Sequence, residues 1–168
     1  MKPNLLFIEI NRNCEAFPYI QCFIVKLCVK MNDISILEVG FKFPSLEKVI
    51  YLTNMVTYAG ATWDWHQMHY DLDYVESIGL DKPVVDGQML GAYLADHVIS
   101  TLGDNTFIEE MEYQFKNPVY SGDRVIFNAH ITSINTAALK TAVEVSHSVT
   151  VGSNKVLDGA VTRATIRN

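Results

Sequence analysis

Residues 88–102 (Gln-Met-Leu-Gly-Ala-Tyr-Leu-Ala-Asp-His-Val-Ile-Ser-Thr-Leu) constrain the fold more than any other stretch of the chain. Met89, Leu90, Ala92, Tyr93, Leu94, Ala95, Val98 and Ile99 leave hardly any polar face on a helix. A helix that is apolar nearly all round has to be enclosed by other elements. Asp86 is placed to cap it at the start, and Gly103 stops it. A chain of 168 residues that is 49% hydrophobic can build one sizeable core, so a single domain arranged around this helix is expected.

What encloses it follows in sequence. From Asp104 onward the pattern turns to β, most clearly where Val143, Val145, His147, Val149 and Val151 alternate with Glu144, Ser146, Ser148 and Thr150. Strands are predicted at Phe107–Asn117, Val125–Ile134, Leu139–Val151 and Val156–Ile166, joined by short turns as an antiparallel meander. Upstream, residues Ile34 to Phe43 read as a strand or hairpin closed by Pro44-Ser45. A helix is predicted after Thr53 as its cap, and a short one after Asp71, ended by Gly79. Pro83-Val84-Val85-Asp86-Gly87 reads as a tight extended lead into the main helix. A long buried helix with an antiparallel sheet wrapped around it is an α+β architecture of hot-dog shape.

The first 30 residues differ from the rest. They carry all three cysteines (Cys14, Cys22, Cys28) and a net positive charge. Two readings stand: residues 1–30 are an N-terminal extension to a domain of residues 31–168, or they supply added strands at Leu5–Ile10 and Cys22–Val29. The cysteines are odd in number and lack CxxC spacing, which argues against a disulfide framework or zinc ribbon and fits a reducing, cytoplasmic setting. A net charge of −6 and a pI near 5.3, with no concentration of Lys and Arg, argue against a nucleic acid or anionic membrane as partner. The run from Tyr19 to Val29 is too short for a membrane span and contains Lys26.

Chemistry concentrates in Asp64-Trp65-His66-Gln67-Met68-His69-Tyr70-Asp71, which holds two carboxylates and two imidazoles. Asp64 and His69 are five residues apart, a spacing that splays them roughly 140° apart on a helix and puts them on opposite faces of a strand. Only an irregular loop brings them together, and an Asp and a His converging in a cleft can hold one water between them as an acid/base pair. Two bland alternatives stand beside this: a solvated polar loop, and a metal site of Asp64, His66, His69 and Asp71. Of the remaining histidines, His147 reads as a hydrogen-bonded core residue, and His97 and His130 read as surface residues.

Three blocks in order resemble the MaoC-like dehydratases, the hot-dog family that includes the (R)-specific enoyl-CoA hydratases. Residues 58–71 (Tyr-Ala-Gly-Ala-Thr-Trp-Asp through His69-Tyr70-Asp71) are similar to the hydratase motif, in which an Asp precedes a His by five. Pro83-Val84-Val85-Asp86-Gly87 resembles the segment leading into the central helix, and Phe115-Lys116-Asn117-Pro118-Val119-Tyr120-Ser121-Gly122-Asp123 resembles an F-x-x-P-V-x-x-G-D strand and turn. The chain departs from the family at His66-Gln67, where Asn-Pro is usual, at Asp86, where His is usual, and at Ala95, where some hydratases carry Ser.

The resemblance implies a hydro-lyase that interconverts a 2-enoyl thioester and the (R)-3-hydroxyacyl thioester. Asp64 and His69 fall on the catalytic pair, and Gly87 falls where a backbone amide binds the thioester carbonyl. His66 and Asp86 are then expected to contact substrate, and Met89 and Tyr93 to line an acyl pocket as well as the core. Coenzyme A or a carrier protein enters as part of the acyl-thioester substrate; no separate cofactor or metal is expected, and the assembly implied is a homodimer. The competing reading on the same fold is a non-catalytic subunit that binds acyl thioesters or supports a partner.

Overall fold

In a computed structural model, residues 36–167 are described. The expectations for residues 1–35, including the cysteines and the two N-terminal strand segments, lie outside the described residues. The elements are β1 (Leu46–Val49), α1 (Leu52–Thr62), a 3₁₀ turn (Gln67–His69), α2 (Leu72–Ser77), α3 (Gly87–Leu102), β2 (Thr106–Glu112), β3 (Arg124–Thr136), β4 (Lys140–Val151) and β5 (Asn154–Arg167). The five strands form one antiparallel sheet in the order β1-β3-β4-β5-β2. With α3 packed along it, this is the α+β hot-dog arrangement.

The alternation read from β3 and β4 is the burial pattern found. Val125, Phe127, Ala129 and Ile131 are buried opposite Val151, Val149, His147 and Val145, so one face of the sheet is continuous core except for half-buried Val151. Bulges bend the ladder. One lies between β4 and β5, where His147 pairs with Ala160 and Ser148 with Asp158; the extra residue is Gly159 at φ 76, a backbone angle that glycine adopts without strain. Against this face α3 presents Met89, Leu90 and Leu94 to one cluster (Ile50, Met55, Phe127, Leu157) and Val98 and Leu102 to another (Phe43, Ile131, Val145, Ile166). Leu94 is fully enclosed, so truncating it to Ala should remove roughly 2–5 kcal/mol of stability.

Several expectations change. The predicted four-strand meander holds only for β3-β4-β5; β2 lies at the far edge beside β5, and the chain after Glu112 crosses over the start of α3 to reach β3. Because residues 113–119 form this strap, β2 stops at Glu112 rather than Asn117. The strap is tied down where the Lys116 N–H donates to the Val156 carbonyl (2.8 Å) and the Val85 N–H to the Val119 carbonyl (2.8 Å). The 34–43 segment is not a hairpin: among its described residues it makes a single bridge, Lys42 to His130, and the strand follows Pro44-Ser45 instead. α1 starts at Leu52, ahead of Thr53, with the Tyr51 N–H donating to the Asn54 side chain (2.9 Å). α3 is not enclosed all round, because Gln88, Ala92, Asp96 and Ile99 form an exposed stripe. His97 is buried rather than on the surface, its Nε2 donating to the Pro44 carbonyl (2.7 Å).

Candidate active site

The loop between α1 and α2 is shaped by its own side chains. α1 ends at Trp63, the one non-glycine residue with positive φ among the described residues (62°), and that left-handed step turns the chain out of the helix. One oxygen of Asp64 then accepts from the His66 N–H (3.2 Å), and the His66 Nδ1 accepts from the Met68 N–H (3.2 Å), which starts the 3₁₀ turn. Asp71 ends the loop by accepting from the Tyr74 N–H (3.0 Å) as the cap of α2.

A two-point clip holds this loop against the lead into α3. The Val84 N–H donates to the Met68 carbonyl (3.1 Å), and the His69 Nδ1 lies 2.6 Å from the Val84 carbonyl. A carbonyl only accepts, so Nδ1 of His69 carries the proton and Nε2 is left for chemistry. His66 is the opposite: its Nδ1 accepts, so a neutral His66 carries its proton on Nε2.

Through the clip, three side chains distant in sequence converge. One ligand-type atom from each of Asp64, His69 and Asp86 lies within 4.8 Å of the others, with Asp64 exposed and the other two half-buried. Asp86 also caps α3, one oxygen accepting from the Gln88 N–H (2.8 Å). Each carboxylate thus spends one oxygen on an amide two residues ahead and keeps the other. Next to Asp86, Gly87 is the first residue of α3, where a backbone N–H has no acceptor within the helix and the helix dipole favours negative charge. The arrangement offers two carboxylates, one imidazole nitrogen and one amide donor to a single small group.

The sequence expectation of Asp64 meeting His69 is realised in geometry, and Asp86 joins them. A divalent ion could use the same three donors, but the four-residue set considered from sequence is not assembled: His66 and Asp71 are committed to backbone amides. His66 stands beside the site, its ring centroid 6.0 Å from that of His69. Met89 is buried in the core, and Tyr93 is half-buried against Phe127 (5.7 Å) with the Lys48 ammonium 5.7 Å from its ring centre. Neither belongs to the three-residue cluster. Sequence reasoning missed Tyr58 and Tyr113. The Tyr58 phenol has its pKa raised by burial first, then by the charges of Asp86, Tyr113 and Asp64, which puts Tyr58 within electrostatic reach of both carboxylates of the cluster and of Tyr113. Tyr58 enters the sequence reading only as the first residue of the 58–71 block and Tyr113 only as part of the predicted strand Phe107–Asn117, neither as a site residue.

Beside Gly87 lies a groove of about 240 Å³ between Val84, Val85 and Leu90 on one side and the 115–119 strap on the other, with exposed Lys116 on the strap.

Residues 40–153 match the family model described as MaoC like domain. Peroxisomal multifunctional enzyme type 2 of Mus musculus is 31% identical over 61 residues, which is 35% of this chain and 8% of that protein, so the chain matches only a small part of that relative's length. Among solved structures, the ChsH1-ChsH2 complex from Mycobacterium tuberculosis is similar with a TM-score of 0.69 and 21% identity, over 78% of this chain and 98% of that one. The (R)-hydratase from A. caviae involved in PHA biosynthesis is similar with a TM-score of 0.68 and 21% identity, over 77% of this chain and 96% of that one.

Proposed function

The chain belongs to the MaoC-like domain family, and from that premise and the meeting of Asp64, His69 and Asp86 beside the Gly87 amide we propose that it adds water to a 2-enoyl thioester and removes it from the (R)-3-hydroxyacyl thioester. Coenzyme A is the expected thioester, and the chemistry calls for no separate cofactor. The single observation that carries the reading is this convergence, because hydration of a conjugated thioester needs a base for water and a donor for the enolate oxygen at the same place.

The Gly87 N–H donates to the thioester oxygen as negative charge develops there, and the start of α3 stabilises that charge. Asp64 takes a proton from water as the oxygen bonds to C3. The His69 Nε2 holds that water by accepting a hydrogen bond from its other hydrogen, which stays on the new hydroxyl, and the proton that Asp64 has taken is passed on to C2, returning Asp64 to the carboxylate. Running backwards, the same groups eliminate water. Asp86, as cap, holds the first turn of α3 in place and with it the Gly87 amide.

The working unit in this reading is a homodimer. β1 and β2 are the sheet's edges, and on β2 Phe107 stands 67% exposed beside Glu109, Glu110 and Glu112, so that pairing with a second copy would cover its ring. The decisive experiment is loss of the enoyl-thioester absorbance of crotonyl-CoA on adding purified protein. A folded protein that leaves crotonyl-CoA and longer enoyl-CoAs unchanged would overturn the enzymatic reading and favour a thioester-binding subunit.

A further inference from the structure

The meeting of Asp64, His69 and Asp86 answers to a second kind of chemistry. An imidazole that ligates a metal characteristically donates its other N–H to a carbonyl or carboxylate, and a ligating carboxylate is itself hydrogen-bonded. All three side chains already carry that supporting bond: the His69 Nδ1–H to the Val84 carbonyl (2.6 Å), an Asp64 oxygen from the His66 N–H (3.2 Å) and an Asp86 oxygen from the Gln88 N–H (2.8 Å). What each keeps is one donor atom, the Nε2 lone pair of His69 and the second oxygen of each carboxylate.

Charge and spacing point the same way. The ion pairs among the described residues lie elsewhere, at Glu47–Arg124, at Lys155–Asp158 and around Arg163, so neither Asp64 nor Asp86 has a Lys or Arg paired to it. Two carboxylates this close repel each other, and a divalent cation relieves both. The three donor atoms stand within 4.8 Å of one another, whereas donors about 2.1 Å from one tetrahedral zinc stand roughly 3.4 Å apart, so the closure required is at most about 1.4 Å. Asp64 can supply it, because its carboxylate is exposed on a loop and turns on two side-chain bonds. The same exposure gives an ion its way in. One imidazole with two carboxylates suits zinc and its first-row neighbours, and the nitrogen donor disfavours magnesium and calcium, which prefer oxygen alone.

We propose that Asp64, His69 and Asp86 bind one divalent transition-metal ion, zinc ahead of manganese and magnesium, and that the bound ion stops hydration. The inhibition rests on the hydratase reading above, because the Asp64 oxygen that takes the water's proton and the Nε2 lone pair that holds that water are the atoms the ion occupies. The binding does not rest on it.

The test titrates the full chain with zinc, manganese and magnesium chlorides by calorimetry, follows cobalt(II) by its visible absorption, and measures crotonyl-CoA hydration at each zinc level. The variants are Asp86→Asn, His69→Gln and the triple Cys14→Ser, Cys22→Ser, Cys28→Ser, since the cysteines are the chain's soft metal ligands. Asp86→Asn keeps an oxygen that caps α3, so loss of binding there is not loss of the fold. The parent should bind one zinc per chain at this site, manganese more weakly and magnesium more weakly still. Asp86→Asn and His69→Gln should each weaken zinc by about tenfold or more, at least the cost of losing a supporting hydrogen-bond partner, and the cysteine variant should bind as the parent does. Cobalt should show no thiolate charge-transfer band, and hydration should fall with zinc occupancy and return with EDTA. A parent that binds no zinc, binding that the cysteine variant loses, or binding that Asp86→Asn and His69→Gln both keep overturns the site. Zinc held at this site with hydration unchanged overturns the inhibition. Zinc held there by a protein that hydrates no enoyl-CoA, with or without EDTA, upholds the site and overturns the hydratase reading instead.

Discussion

The molecule holds two pairs of histidines in opposite settings. His66 and His69 sit in the loop after α1, at or near the surface, and each has its proton position fixed by a backbone group. His97 and His147 sit between α3 and the sheet, 4% and 2% exposed. There each has one ring nitrogen bonded, His97 to the Pro44 carbonyl and His147 to the Thr162 hydroxyl (2.8 Å), and a buried Nδ1 with no partner. The loop pair is within reach of water. The interior pair has nowhere to put a second proton, so it resists charge. Burial lowers the His147 pKa to about 4, with the neighbouring charges of His97 and then His130 adding to the effect, and lowers that of His97 in spite of the Pro44 bond and Asp96. The same side chain thus lies open to solvent in one region and makes the fold acid-sensitive in the other.

The sharpest way to break this contrast is to remove the loop's proton chemistry. Asp64→Asn keeps the shape and the capacity to hold a water but not the charge, and His69→Gln keeps a polar group of similar reach but no exchangeable imidazole. Each should lower kcat for crotonyl-CoA by roughly 10²–10⁴. The double variant should be far less than multiplicatively worse, since both residues act on one water. Asp64→Asn should leave the melting temperature nearly unchanged because Asp64 is exposed, and His69→Gln should lower it slightly at most, since the Gln amide can still donate to the Val84 carbonyl. Single variants that retain a third or more of parental turnover, or that fail only by unfolding, would make the loop structural.

The interior pair predicts a smaller effect of the opposite kind, on stability and not on turnover. The folded-state pKa of His147 lies below the value of 6.5 for an unburied imidazole, so its contribution is fully present above pH 6.5 and is lost as the pH falls toward 4. A shift of that size corresponds to roughly 3 kcal/mol over the whole window, of which about 2 kcal/mol is gone by pH 5. His147→Gln can still meet the Thr162 hydroxyl and does not titrate. Urea unfolding at pH 7.5 and pH 5 should show the parent losing about 2 kcal/mol more than this variant. Equal losses would place the acid sensitivity in the carboxylates instead.

The two regions were also unequally legible in the sequence. Asp86 and Gly103 announced the ends of α3, Asp71 announced α2, and the period-two pattern announced β3 and β4, because caps and alternation are local signals. Asp64 and His69 could be paired by elimination, since neither helix nor strand allows them to meet. That Asp86 joins them is a fact of the clip at Val84, and a cap residue 22 positions downstream of Asp64 carries no sign of it. His97 was misread although Leu94 and Val98 flank it on the buried stripe; its partner is the carbonyl of Pro44, 53 residues away. The place of β2 beside β5 was equally hidden, because a hairpin to β3 would satisfy the same alternation, and the choice is made where Tyr113 and Phe115 pack over Gly87 and Gly91.

The smallest expected effect tests whether the loop's strain serves its chemistry. Trp63 ends α1 at φ 62 and ψ 24 with its side chain 81% exposed, in a conformation that glycine adopts freely. The left-handed region costs a residue with a Cβ about 1–2 kcal/mol. Against this stands the edge-on contact with Trp65, centroids 6.1 Å apart, which at an exposed site contributes about 0.5 kcal/mol or a little more. Trp63→Gly should therefore stabilise the fold by about 0.5–1 kcal/mol, a rise of roughly 1–4 °C in Tm for a chain of this size. Crotonyl-CoA turnover should stay within about threefold of the parent, since Asp64 keeps its bond to the His66 N–H and His69 its bond to Val84. A lower Tm would mean that the Trp63–Trp65 contact outweighs the backbone strain. A higher Tm with turnover down by about tenfold or more would mean that the strained tryptophan holds the catalytic loop in its working shape, and that the contrast between a reactive loop and a stability-bearing interior extends to the backbone itself.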